Sequence, residues 1–193
     1  MATYTKGGAS LKRLWEKTKA KGALARGCYT DVVLQEDLPE TTAAKFAAFG
    51  RKFVDRARRH GARPLLFMAW AYARLPAVSD DDIAAAHRAL GDSSRVDVAP
   101  VGEARARAHA AHPAIDLFDG DREHPSLAGA YLSACVIYGA LFGGAGLSEL
   151  GYVPHGLSAE HAAALRRVAA AVTPPADRSW CYAADAADDG EKS

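Results

Sequence analysis

Asp121 and His124 stand three residues apart in the run Asp121-Arg122-Glu123-His124-Pro125-Ser126. A neutral imidazole takes a proton from a hydroxyl near pH 7, provided an acceptor on its other nitrogen fixes the tautomer. A carboxylate three residues earlier on a tight loop supplies that acceptor. Pro125 and Ser126 then open a long apolar stretch, as residues that start helices do. The pair reads as the acid–base end of a proton-transfer site. The plain alternative is a loop with a helix-start aspartate and a surface histidine.

Other residues fit the same chemistry less specifically. Gly7 and Gly8 precede a helical segment, where free backbone N–H groups can hold an oxyanion. Gln35 ends an apolar run, and its amide can donate to the same oxygen. Glu36 beside it reads as a buried ion-pair member or an exposed acid. Trp70 and Tyr72 follow a second apolar run as pocket-wall candidates, although aromatics there are more often packing. His109 and His112 are three apart on a helical segment without a third ligand, so no metal site is expected. No GxxxxGK[ST], GxGxxG or HExxH motif occurs. No cofactor is expected.

The positions of these residues depend on the elements around them. Asp31–Gln35, Ala62–Trp70 and Arg95–Val101 are short, apolar and rich in branched or aromatic residues, as buried parallel strands are. A short fourth strand is expected at Ala114–Phe118. Helical patterns cover Ser10–Ala25, Thr42–His60, Ser79–Leu90, Glu103–Ala111, the stretch after Ser126 up to Gly143-Gly144, and Ser158–Val172. Strand–helix alternation predicts an α/β/α sandwich with a parallel sheet. In such sheets the functional crevice lies at the strand carboxyl ends. Gln35, Trp70, Tyr72 and the Asp121–His124 loop all follow strands, so chain order alone brings them toward one rim.

The 193 residues suit one domain, expected over 1–172, followed by an acidic tail over 173–193 expected to be disordered. The net charge of +1 gives no basic field for nucleic acid. The Arg51–Arg63 run reads better as the wet face of a helix. Cys28, Cys135 and Cys181 form no metal or disulfide pattern. No segment approaches a membrane span, and no apolar leader opens the chain, so the chain as written is expected to be cytoplasmic.

Taken together, these blocks resemble the SGNH (GDSL-like) hydrolases. "DREHPSLAGAYLSACVIYGALFG" resembles that superfamily's last signature block, "GGASL" its second, and "DVVLQE" falls where the third belongs. The resemblance covers about Lys6 to Gly144. It implies a three-layer, flavodoxin-like α/β/α fold and ester hydrolysis by a Ser-His-Asp triad. The substrate would be a small-molecule ester or an acylated carbohydrate. By position, Asp121 would orient His124, His124 would be the base, and Gly8 an oxyanion donor. The third block usually supplies an Asn, and Gln35 is the nearest substitute here.

The front of the chain departs from the pattern. Only six residues precede Gly7, too few for the strand and nucleophile turn that the family places there. The expectation is an N-terminally truncated chain without its serine and without the first strand of the sheet. Its exposed sheet edge would favour self-association. A catalytically inactive relic or binding domain is the alternative, and a flavodoxin-like binding domain outside the family a third. Gly91-Asp92-Ser93 spells the family's nucleophile motif but follows a helix and precedes a strand. It is expected to be a helix-end turn on the opposite rim, with Gly91 as a left-handed cap.

Overall fold

A computed structural model describes residues 2–173; the tail expected to be disordered lies, from 174 on, outside them. Three strands, β1 (Asp31–Gln35), β2 (Arg63–Phe67) and β3 (Asp97–Ala99), form one parallel sheet in the order β1-β2-β3. The helices are α1 (Leu11–Lys17), α2 (Ala20–Arg26), α3 (Ala43–Arg59), α4 (Asp80–Ser94), α5 (Val101–Ala111), α6 (Leu127–Phe142) and α7 (Ala159–Val172).

The side chains of β2 explain the layering. Leu66, with Met68 just past the strand, points into one core, with Phe46, Phe53 and Val54 of α3, Ile83 and Leu90 of α4, and Leu11 of α1. Leu65 and Phe67 point into the other, with Val101 and Ala104 of α5, Leu132 and Val136 of α6, and Leu165 of α7. Alternation along a strand sends neighbours to opposite faces. A strand apolar at both parities therefore sits between two helical layers, which makes the expected three-layer α/β/α sandwich. All five β2 side chains are buried.

The helix starts follow their cap residues. Ser10, Thr42, Ser79, Ser126 and Ser158 each accept a backbone N–H three residues on, which satisfies one of the free donors of the first turn. Ser79 and Asp82 complete a capping box.

Three expectations are corrected. The first helical pattern divides at Thr18, whose hydroxyl donates to Leu14 O and accepts from Ala20 N, ending α1 and starting α2. Ala114–Phe118 is not a strand of the sheet; Phe118 makes only an isolated antiparallel bridge to Pro125, because its chain turns back over the Asp121 loop. Third, α4 runs through Gly91-Asp92-Ser93, and the left-handed residue is Arg95 (φ 51°). Gly91 stays helical because its small size is needed: a Cβ there would meet Val96 O and Val98 Cγ2, each at 3.0 Å.

Candidate active site

The Asp121–His124 loop is a compact turn whose aspartate uses both oxygens. Oδ1 accepts from Glu123 N and His124 N, each at 2.9 Å. Such side-chain-to-backbone bonds are why Asp nucleates turns. Arg122 takes the left-handed conformation (φ 58°) that the reversal requires. Asp119 N then donates to His124 O at 2.8 Å and closes the turn. Oδ2 is left for the imidazole and lies 2.6 Å from His124 Nδ1. Nδ1 carries the proton in that contact, so in the neutral ring Nε2 is the basic nitrogen.

The pair polarises both groups in the same sense. The imidazole and the two backbone N–H groups pull the Asp121 carboxyl down to about 2. The carboxylate raises His124 above its ordinary 6.5. The site is open: 71% of the His124 side chain and 50% of Asp121 are exposed to solvent.

The loop is fastened to the carboxyl ends of the strands. Trp70, just after β2, donates Nε1–H to Glu123 O at 2.9 Å. Arg74 pairs with the Glu123 carboxylate and with Glu40, which follows β1. Tyr72 donates to Asp37 Oδ1 at 3.1 Å. From below, Arg105 of α5 lies between Trp70 (3.9 Å) and Phe118 (4.2 Å) and donates to Leu117 O at 2.6 Å. It is 3% exposed. Cation–π faces on both sides offset part of the desolvation of such a charge, yet burial still lowers its pKa to about 10. Arg105 and Arg74 were not singled out from the sequence. Arg105 sits in an Ala-Arg-Ala-Arg-Ala run that reads as a wet helix face, and only packing brings it under the loop.

The remaining candidates are scattered along the same rim. Glu36 is neither ion-paired nor exposed. It is 1% exposed, and Oε1 accepts from Leu11 N (3.1 Å) and Asp37 N (3.0 Å), tying the start of α1 to the end of β1. Burial pushes its carboxyl up to about 7. Gly8, at φ 61° in the turn Lys6–Ala9, stands ahead of α1, exposed and with open space where a Cβ would point. Gln35 is exposed at the end of β1. Trp70 is a buried support under the loop, and Tyr72 is a half-buried residue of the rim. An open groove of about 570 Å³ runs along α1, lined by Lys6, Ser10, Lys12, Arg13, Lys17 and others, and holds none of these residues. Among the described residues no cluster of His, Cys, Asp or Glu could hold a metal ion. No helix there is long and apolar enough to cross a membrane.

Ser93 stands apart from this site. Its hydroxyl accepts from Arg51 at 3.3 Å and donates to Leu90 O at 3.3 Å, in the last turn of α4 before the amino end of β3.

No family model matches the chain, and no curated protein matches it. Among solved structures it is similar to a DUF4886 family protein from Bacteroides uniformis, at 20% identity and TM-score 0.66, over 80% of this chain and 66% of that one. The chain thus spans about two thirds of that protein's length, and the likeness shows the fold. It is also similar to a protein of Slackia heliotrinireducens described as an SGNH hydrolase, at 30% identity and TM-score 0.56, over 68% of this chain and 78% of that one. A shared three-layer sandwich with a parallel sheet, and 30% identity over most of that neighbour, place the chain in the SGNH hydrolase superfamily.

Proposed function

We propose that the chain carries the base half of an ester hydrolase acting on an acyl or acetyl ester, with a small-molecule ester or an acylated carbohydrate as substrate. The observation that carries this reading is the 2.6 Å contact between Asp121 Oδ2 and His124 Nδ1, in a pair whose imidazole side chain is 71% exposed to solvent. Asp121 holds the ring in one tautomer and stays ionised at any pH where the base works. His124 Nε2 accepts the hydroxyl proton as the oxygen attacks the ester carbonyl, and returns it to the leaving alkoxide. The imidazolium formed in between lies against the carboxylate that stabilises it. Gly8 N–H and the Gln35 amide are the donors proposed for the oxyanion.

The attacking serine comes, in this reading, from a segment outside the residues described. Ser93 does not serve, because it is bonded to Arg51 and Leu90 at the amino end of a strand. A second reading, a binding protein on a hydrolase fold, is favoured by the openness of the pair, with 71% of the His124 side chain exposed to solvent. The two are separated by reading the DNA upstream of the Met1 codon and expressing any in-frame extension with the chain. Ester hydrolysis by that product, abolished in His124→Ala, supports the enzyme. A stop codon directly upstream, with no hydrolysis of a chromogenic acetyl ester by the 193-residue chain, supports the binding protein.

A further inference from the structure

The loop that carries Asp121 and His124 is held at two places, and both holds meet on Arg105. At the base of the loop the two chain segments bond to each other. Phe118 bridges Pro125, Asp119 N donates to His124 O at 2.8 Å, and Ser126 N donates to Leu117 O at 3.1 Å. Beside the base residue, Glu123 O accepts Trp70 Nε1–H at 2.9 Å. The Arg105 guanidinium touches the support of each hold. Its carbon lies 3.9 Å from the centre of the Trp70 ring and 4.2 Å from that of Phe118. Its Nη2 donates to Leu117 O at 2.6 Å.

Stability alone does not explain an arginine here. The side chain is buried, and the carboxylates that act on it, Asp80 and Asp116, do so only across space. Asp80 accepts from Ala71 N, and Asp116 pairs with Arg122. Nε and Nη1 are buried without a partner among the described residues. A buried charge of this kind costs more than an apolar side chain of similar volume. Yet α6 is shaped around it, since a Cβ on Gly129 would meet Nη1 at 2.6 Å. A guanidinium offers what an apolar chain or an ammonium does not: its plane stacks on rings while its edge donates.

We infer that Arg105 is a positioning residue for the Asp121–His124 pair, locking Trp70, Phe118 and Leu117 to one another and so fixing the backbone from which both side chains project. This role rests on the reading of His124 as the base. Arg105 acts through Trp70 and Phe118 and touches neither member of the pair. The pair itself is open to solvent. Two exposed side chains hold one geometry only at a cost in entropy, which leaves many surface pairs with little net strength. A fixed backbone removes part of that cost. The grip of Arg105 therefore sets how fully His124 Nδ1 and Asp121 Oδ2 stay in contact.

The test compares Arg105→Met and Arg105→Lys with the natural 193-residue chain by proton NMR, with urea melts to follow the fold. In Arg105→Met the His124 midpoint is expected to drop toward 6.5. Exchange of the Trp70 indole N–H is expected to speed up by about tenfold, as loss of a desolvated cation–π contact implies. The urea midpoint stays close to the natural one, because the buried charge is gone and Leu117 O keeps Ser126 N. Arg105→Lys restores the charge without the plane and recovers only part of the His124 midpoint. Arg107→Met, at an exposed position of the same helix, changes neither readout. A natural His124 midpoint retained in Arg105→Met overturns the inference, whatever the urea melt shows. If Arg105→Met does not fold, a natural midpoint in Arg105→Lys overturns it. A natural chain that already titrates at 6.5 overturns it too, since there is then no contact to hold. The base reading is decided separately, by the ester assay on the extended product. There Arg105→Met is expected to lower kcat more than it raises KM, and an unchanged kcat in an active enzyme overturns the positioning role alone.

Discussion

Trp70 Nε1–H donates to the carbonyl oxygen of Glu123 at 2.9 Å, so the residue beside the candidate base hangs from the end of the central strand. Trp70→Phe keeps an aromatic ring over Arg105 but leaves the Glu123 carbonyl without that donor. A lost part-buried hydrogen bond costs about 1 kcal/mol. We expect a destabilisation of that order in urea melts. In an active form of the enzyme, kcat falls more than KM rises, because the base is displaced rather than the substrate. An unchanged urea midpoint counts against the support role.

His124 titrates above its ordinary value because the Asp121 carboxylate binds its protonated form. The base is competent only when neutral. In the proposed enzyme, activity is therefore expected to rise with pH through a midpoint above 6.5. Any stability the pair contributes runs the other way: it is fully present below the unfolded value of 6.5 and is lost as pH rises through the higher folded value. Asp121→Asn removes the carboxylate, and the His124 midpoint followed by proton NMR is expected to drop toward 6.5. A midpoint that stays put in Asp121→Asn shows that the carboxylate does not hold the ring in solution.

Glu36 is a buried acid with a raised pKa, so the native state holds its proton where the unfolded chain has lost it. Between about pH 4.5, its unfolded value, and about 7, its folded one, the native state binds more protons. Stability therefore falls as pH rises through that window. Ionising the buried carboxylate costs on the order of 3 kcal/mol. Glu36→Gln retains an acceptor for Leu11 N and Asp37 N without the charge. The variant is expected to lose this part of the pH dependence and to gain on the natural protein at pH 8. Chemical denaturation at pH 5 and pH 8 gives the comparison, and parallel pH slopes for the two proteins argue against a buried ionising Glu36.

Gly129, in the first turn of α6, lets the helix pass close under the loop. A Cβ there would sit 2.1 Å from Leu117 O and 2.6 Å from Arg105 Nη1. A carbonyl on a bridged segment cannot yield as a side-chain tip can. Overpacking of this kind costs about 1–3 kcal/mol or more. Gly129→Ala is expected to lower the melting temperature by several degrees and to shift the Phe118 and His124 resonances together. Ala130→Ser, on the exposed face of the same turn, is the matched control and stays within about 0.5 kcal/mol of the natural protein.

Three parallel strands between helices were legible in the sequence, because alternation and helical spacing are local patterns that burial enforces, whereas the fourth strand expected at Ala114–Phe118 was not there. The Asp121–His124 contact was legible for the same reason: an aspartate that caps its own turn has one oxygen left, and a residue three positions on is within its reach. The packing of β2 between two cores, the burial of Glu36 against Leu11, and the place of Arg105 between Trp70 and Phe118 came only with the tertiary structure. Each joins residues 25 or more positions apart, or seats a charge where its neighbours in the chain are alanines. Neither spacing nor composition encodes such a meeting. Gly91-Asp92-Ser93 makes the point from the other side, since three letters that match a nucleophile turn fold here as the last turn of a helix, and the strand that would make them a nucleophile follows them instead of preceding them.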